Sequence, residues 1–192
     1  MKTILKTRKI LFDILCAFWA VFAFFGVVVL TEKAFIYPLS DYKTEIIAAA
    51  DKYGIDRALV FAMIRTESGF NKDAVSDKGA VGLMQMTERT AEYVARLRGI
   101  ENYDIIDAAT NIDFGCYYYK YLEGRFGDKD VCLAAYNAGE GNVSIWLKDE
   151  RYSIDGKTLY KTPIKETDEY VVKVNKSFRK YKNLYFNILD KR

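Results

Sequence analysis

The stretch DRALVFAMIRTESG, residues 56–69, decides the fold class. Asp56 is a natural helix cap and Ser68-Gly69 a natural stop, so the residues between them predict one short α-helix. Val60, Met63, Ile64 and Glu67 fall at i, i+3, i+4 and i+7, on one face of that helix. A carboxylate therefore shares the apolar stripe that faces a core. Burial disfavours its ionised form, and so does the partial negative charge at a helix C-terminus. Both effects raise its pKa, which suits a group that delivers a proton near neutral pH. A lone Glu in a frayed last turn is ordinarily just solvated. The segments around this one set it apart.

Outward from this helix, similar punctuation repeats. Ser40 or Asp41 opens a helix that runs to Tyr53 and stops at Gly54. Ser76 to Met86 (SDKGAVGLMQM) has glycines and no period, and reads as an ordered loop. Thr87 starts a helix through Arg98, stopped by Gly99. Asp107 starts a long one in which Ile112, Cys116, Tyr119, Leu122 and Phe126 recur every three or four residues, with a turn near Gly127. Asp130 to Asn137 and Gly141 to Leu147 make two short helices. Asp155-Gly156 points to a small hairpin within Arg151 to Pro163. Glu166 to Tyr181 is a last amphipathic helix with Val171, Val174, Phe178 and Tyr181 inward. The expectation is a mainly α domain over residues 40–192, all-α or with one minor β hairpin, its groove left to loops.

Ahead of it, Ile14 to Thr31 (ILCAFWAVFAFFGVVVLT) is uncharged and almost wholly apolar. At about 1.5 Å per residue it spans roughly the hydrocarbon core of a bilayer. Lys2, Lys6, Arg8 and Lys9 precede it, so the positive-inside rule puts residues 1–9 in the cytoplasm and the domain on the far side. The run is longer than a typical signal core, and Leu30-Thr31-Glu32-Lys33 offers no small-x-small cleavage site. An uncleaved single-pass anchor over residues 10–31, with a linker over 32–39, is therefore favoured over a cleaved signal.

Composition removes several chemistries. The 192 residues include no His, which excludes Ser-His-Asp and Cys-His catalysis and the common His-containing zinc sites. There is no phosphate-binding Gly pattern. The net charge of +3 belongs to residues 1–31, and residues 32–192 are neutral overall, which is not the footprint of a nucleic-acid binder. Lys173, Lys176, Arg179, Lys180, Lys182, Lys191 and Arg192 make the end locally basic, most simply as a solvated helix face. Three cysteines build no disulfide framework. Cys116 and Cys132 flank the Gly127 turn at unequal distances and read as small buried core residues.

Four segments stand together: Glu67-Ser68-Gly69-Phe70; Gly79-Ala80-Val81-Gly82-Leu83-Met84-Gln85; Asn111-Ile112 with Gly115 and Tyr119; and Ala134-Ala135-Tyr136-Asn137-Ala138-Gly139. In this order and spacing they resemble the catalytic domain of the soluble lytic transglycosylases, a lysozyme-like family that cleaves peptidoglycan. The resemblance covers roughly residues 40–147, with the core motifs in 56–147, and extends through Pro163, Glu166-Thr167 and Tyr170-Val171 as a family-like tail. It implies a lysozyme-like fold with Glu67 as the catalytic acid. It implies Ser68, Met84, Gln85, Tyr136 and Asn137 as residues of the substrate groove, Tyr136 with its hydroxyl near the catalytic carboxyl; a core-only Met84, and an Asn137 that caps its helix, are the alternatives. Asn111, at a helix start, reads rather as a scaffold residue. The family often has Pro where Thr87 stands, but Thr87 and Glu88 still start a helix well.

The chemistry agrees. Breaking a glycosidic bond needs an acid to protonate the leaving oxygen. Retaining and inverting hydrolases also want a second carboxylate across the bond. Asp73 and Asp77 are the nearby ones, neither lies in a family motif, and both suit turn-forming loops. With one carboxylate the resemblance implies non-hydrolytic cleavage between N-acetylmuramic acid and N-acetylglucosamine, giving a 1,6-anhydromuramoyl end without metal or organic cofactor. The implied partners are peptidoglycan glycan strands and the membrane, with room for an unidentified cell-wall or secretion complex. A goose-type lysozyme-like hydrolase using Asp73 or Asp77, and a non-catalytic glycan-binding scaffold, are the other readings that the residues leave open.

Overall fold

The computed structural model describes residues 2–32 and 37–186, with side chains from residue 11 onward. Linker residues 33–36 and the basic Lys191 and Arg192 lie outside them, as do the side chains of Lys2, Lys6, Arg8 and Lys9. The chain divides into two units, Met1–Leu39 and Ser40–Arg192. In the first, α1 (Lys2–Thr31) is one continuous helix. Its Leu11–Thr31 portion is long and apolar enough to cross a membrane, and its large apolar side chains are exposed.

The second unit is helical. It comprises α2 (Lys43–Tyr53), α3 (Arg57–Glu67), α4 (Glu88–Arg98), α5 (Ala108–Phe126), α6 (Lys129–Ala138), α7 (Glu140–Trp146) and α8 (Lys165–Tyr181), followed by a π-helical turn, Lys182–Phe186. Caps legible in the sequence set three of the seven starts. Asp56 accepts from Ala58 N, Thr87 from Thr90 N and Asp107 from Thr110 N. α6 starts one residue earlier than expected, at Lys129, because Asp128 caps it and takes the Asp130 and Val131 amides. The start of α2 also differs. Ser40 Oγ accepts from Tyr42 N before the helix begins, and Tyr42 itself caps with no side-chain bond.

α3 is the centre of the core. Ala58 to Ile64 are all buried, so the helix is enclosed on every side rather than along a single stripe. It packs chiefly on α8 and also on α2. Phe61 meets Tyr181 and Phe186 at ring-centroid distances of 5.5 and 5.8 Å. Asp113 of α5 binds Lys52 Nζ and Tyr53 Oη of α2 (2.6 and 2.9 Å) and Arg98 of α4 (2.6 Å), fastening three helices. Burial would raise that carboxyl, but these three donors outweigh it and hold it low. Cys116 and Cys132 are free and buried, as their spacing suggested.

Two expectations need correction. No hairpin forms within Arg151 to Pro163. The Asp155 carboxylate instead takes the backbone amides of Lys157 and Thr158, and Tyr160 N to Tyr152 O at 3.1 Å is the one backbone bond closing the loop. The little β pairing among the described residues lies in the Ala74–Met86 loop, as isolated bridges Val75–Val81 and Val81–Met86. The inner face of α8 is also rotated from the predicted one. Thr167, Tyr170, Val174, Ser177 and Tyr181 are buried, while Val171 and Phe178 are half-buried.

Candidate active site

The last residue of α3 delivers Glu67 into a cleft of about 680 Å³. The Ala74–Met86 loop, the α4 start, α5, the α6 end and α8 supply the walls. Part of Glu67 stays accessible to the cleft, while protein encloses its carboxyl. Burial pushes its pKa up to about 7, opposed by the Tyr170 hydroxyl and reinforced by the nearby Glu166 charge. Near neutral pH such a group is both a usable acid and, once ionised, a usable base.

The loop is anchored from beneath. Asn111, fully buried, accepts from Met84 N at 2.8 Å and donates to Val81 O and Ile105 O at 3.0 Å each. Each of these three side-chain bonds goes to backbone, in keeping with a scaffold residue. The loop also lies tightly against its support. A Cβ on Gly82 would stand 2.3 Å from Asn111 Nδ2, and one on Gly115 2.4 Å from Met84 Sδ. Gly82 N donates to Ala74 O at 2.9 Å, and Val81 and Met86 exchange two backbone bonds at 3.0 Å.

The groove residues implied by the sequence fall into two groups. Glu67, Gln85, Tyr136 and Asn137 line one cleft. Gln85 holds a left-handed backbone (φ +47), uncommon for a side chain of its size, and its amide donates to Ala74 O and Gly82 O. Asn137 Oδ1 accepts from Thr167 Oγ1 at 2.8 Å, joining α6 to α8. Ser68 and Met84 stand behind the cleft. The Ser68 hydroxyl is engaged with the carbonyls of Leu83 (2.9 Å) and Ile64 (3.2 Å). Met84 is fully buried, its sulfur 4.0 Å from Cys116 Sγ.

Tyr136 stands beside Glu67, and its hydroxyl is engaged with the loop. Its hydroxyl donates to Met84 O at 2.9 Å and also touches Met86 Sδ at 3.5 Å. Its pKa is raised well above the ordinary value by burial and then by the Glu67 charge beside it. The residue that sequence reading passed over is Tyr170. Its hydroxyl is buried, makes no well-formed hydrogen bond among the described residues, and faces Glu67; burial, and then the Glu67 charge, push its own pKa up. The signal was the spacing of Thr167, Tyr170, Val174, Ser177 and Tyr181, obscured because two of the five are polar. Of the two loop aspartates, Asp77 is exposed at the cleft edge, whereas Asp73 lies outside the cleft and pairs with Lys72 at 2.6 Å. Two carboxylates not weighed from the sequence, Glu166 and Glu169, border the cleft from α8.

The family described as "Transglycosylase SLT domain" matches residues 44–158. The soluble lytic murein transglycosylase of Escherichia coli K12 is 35% identical over 126 residues, covering 62% of this chain and 20% of that protein. The membrane-bound lytic murein transglycosylase C of Serratia proteamaculans is 31% identical over 160 residues, 70% of this chain and 44% of the relative. The chain thus spans well under two thirds of either relative. The crystal structure of the 70 kDa soluble lytic transglycosylase of E. coli superposes with a TM-score of 0.67 at 30% identity, covering 77% of this chain and 25% of that one. An inactive glutamate-to-glutamine mutant of the Pseudomonas aeruginosa enzyme Slt gives 0.66 at 32% identity, over 77% and 24%. The family match takes in more than half of the sequence, and the helical unit shares the lysozyme-like architecture of these neighbours: the chain belongs to the transglycosylase SLT domain family.

Proposed function

We propose that this protein is a membrane-anchored lytic transglycosylase that cleaves the β-1,4 bond between N-acetylmuramic acid and N-acetylglucosamine in peptidoglycan. The observation that carries the reading is Glu67, a carboxyl held near pKa 7 in a cleft lined by amide, hydroxyl and aromatic groups. Relatives named as lytic murein transglycosylases, and one made inactive by a glutamate-to-glutamine change, support the same chemistry.

In the first step neutral Glu67 gives its proton to the bridging oxygen as the C1–O bond breaks. In the second, the Glu67 carboxylate takes the proton of the muramoyl C6 hydroxyl, whose oxygen forms the new bond to C1. The acid is regenerated, no water is consumed, and the product ends in 1,6-anhydromuramic acid. Burial, which lifts the pKa, serves the first step. Tyr170, which favours the ionised form, serves the second. Gln85, Asn137 and Tyr136 border the space where the sugars lie, and Ser68 and Met84 hold the loop that forms its floor.

The carboxylates at the cleft edge favour this over a hydrolase. Asp77 and Glu166 are exposed at the cleft rim, and Glu166 is paired with Lys78, so neither is held in place to position a water. The Leu11–Thr31 helix serves as the anchor, with residues 1–9 in the cytoplasm and the domain outside, where its substrate lies.

Mass spectrometry of peptidoglycan digested by the full chain, with Glu67→Gln in parallel, tests the proposal. Muropeptides one water lighter than the hydrolytic products are expected from the unmodified enzyme alone. Reducing ends would instead identify a lysozyme-type hydrolase and direct attention to Asp77 and Glu166. Bound glycan without release would identify a scaffold.

A further inference from the structure

Away from the cleft, the segment between α7 and α8 displays apolar side chains to solvent. Ile154 is 88% exposed, more than any other large apolar side chain among the described residues; on the apolar helix α1 the highest value is 72%, at Phe24. Tyr160 and Ile164 are exposed on the same segment. The tip is fixed rather than loose. The Asp155 carboxylate takes the Lys157 and Thr158 amides at 2.8 and 2.7 Å, and buried Ser153 takes the Gly156 amide on its Oγ at 3.0 Å. Ile154 stands between these two anchors, and Tyr160 Oη is tied to Glu150 O at 2.8 Å. Charge surrounds the apolar groups unevenly. Residues 148–165 hold five basic and three acidic side chains. Asp149 is engaged by Arg151 at 2.6 Å, and Asp155 by its own amides. Lys157 and Lys161 are exposed and make no ion pair among the described residues; Lys161 Nζ lies 5.7 Å from the centre of the Tyr160 ring.

Resting on the reading of the chain as membrane-anchored, we propose that this loop docks on a bilayer containing anionic phospholipid, with Ile154 and Tyr160 entering the headgroup region and Lys157 and Lys161 pairing with lipid phosphates. A single exposed isoleucine is ordinary on a protein surface. One held out on a fixed tip, beside an amphipathic ring and two lysines without carboxylate partners, matches an interface where hydrocarbon lies beneath a layer of negative charge. The glycan is a poor fit for the same tip. None of residues 148–165 lines the cleft, and an isoleucine has no polar atom to offer a sugar hydroxyl. A patch this small binds lipid weakly by itself. Only eight residues separate Thr31 from Ser40, so on a chain already held at the bilayer docking is an intramolecular event, and weak contacts suffice. The docked tip holds the domain in one attitude, so that the cleft meets glycan strands at a set height above the lipid.

The test reconstitutes the full chain in vesicles of phosphatidylglycerol or of phosphatidylcholine, each doped with a lipid that carries a photoactivated carbene source near its headgroup. Mass spectrometry then maps the lipid adducts. In phosphatidylglycerol, residues 152–161 are expected to carry about tenfold more adduct than the exposed loop at residues 76–79, and to lose about fivefold or more in phosphatidylcholine or with added salt. Ile154→Ser and Lys157→Gln/Lys161→Gln should each lower the tip adduct by about fivefold, while thermal unfolding in detergent stays unchanged, because these side chains are exposed. Equal labelling of the tip and of residues 76–79 overturns the proposal, since it marks mere nearness to the surface. Labelling that survives Ile154→Ser but is lost with the lysines overturns it too, because attraction to any polyanion would behave that way. Adducts on Leu11–Thr31 without adducts on the tip remove the docking loop and leave the anchor. Absence of adducts from both removes the anchor reading, and the docking proposal falls with it.

Discussion

The hydroxyl of Tyr136 donates to the carbonyl of Met84 at 2.9 Å, joining residues 52 apart in the chain. The one proton it has to give is therefore committed to the loop that carries Gln85 and Met86. Tyr170, whose buried hydroxyl has no such commitment among the described residues, is the tyrosine that acts on Glu67. Two tyrosines with similar surroundings thus have separate tasks, one fastening the floor of the cleft and the other facing its acid.

Removing the first hydroxyl should loosen that floor. Tyr136→Phe is expected to cost about 1 kcal/mol of stability, the usual net value of one neutral hydrogen bond. It should lower kcat more than it raises KM, because the loop lines the same cleft as the reacting carboxyl. Urea unfolding together with steady-state kinetics checks both, and unchanged rates would reduce Tyr136 to a core residue.

Glu67→Gln should reduce turnover by roughly a thousandfold or more, since an amide has no proton to give and cannot accept the one from C6. The variant should fold normally and still bind glycan strands. Substantial residual turnover in purified protein would sink the assignment of the acid.

The same substitution has a signature in stability. Unfolded, Glu67 loses its proton near 4.5; folded, it keeps it to about 7. The folded state thus binds more protons between those values, and stability must fall as pH rises across that window. The effect is roughly 2–3 kcal/mol at most, because the side chain keeps contact with the cleft. The difference in unfolding free energy between Glu67→Gln and the unmodified protein should grow from pH 4.5 to 7 and then level off. A constant difference would contradict the raised pKa.

Tyr170→Phe removes a group that lowers the Glu67 pKa, so that pKa should rise further. The alkaline limb of the kcat/KM profile should move to higher pH while the fold is retained. A profile of reduced height but unmoved limb would assign Tyr170 to packing alone.

Asn111→Ala leaves the amide of Met84 and the carbonyls of Val81 and Ile105 without a partner in a buried place. A loss of about 2–4 kcal/mol is expected, from three lost bonds and the desolvation left behind. Activity should fall along with it, because the loop supplies the floor of the cleft. Thermal unfolding by calorimetry gives the first and a glycan-cleavage assay the second.

Much of the architecture was legible because it is locally encoded. Asp56, Thr87 and Asp107 cap their helices through bonds to amides two or three residues on, and such contacts are written in a few neighbouring letters. The face of α8 was not local in that sense. Apolar periodicity chose Val171 and Phe178, but the buried line includes Thr167 and Ser177, and Thr167 is acceptable there because its hydroxyl meets Asn137, thirty residues away. Tyr170 was passed over for the same reason. The Asp155 turn was misread because a dipeptide common in hairpins served here to bind its own following amides. Glu67 was readable as a perturbed carboxyl. Which groups would surround it was not, because they come from α6, α8 and a loop that only the folded chain brings together.

The recognised family segment ends at residue 158, yet Glu166, Tyr170 and Lys173 of α8 close one side of the cleft. An expression fragment trimmed to that segment would retain the acid and the four core motif segments, while opening the core helix α3 to solvent along the surface where α8 packs. Such a fragment would look complete to any search by motif and be half a binding site. For this chain the smallest unit worth purifying runs at least to Phe186, whose ring rests on Phe61 beneath the helix that ends in Glu67.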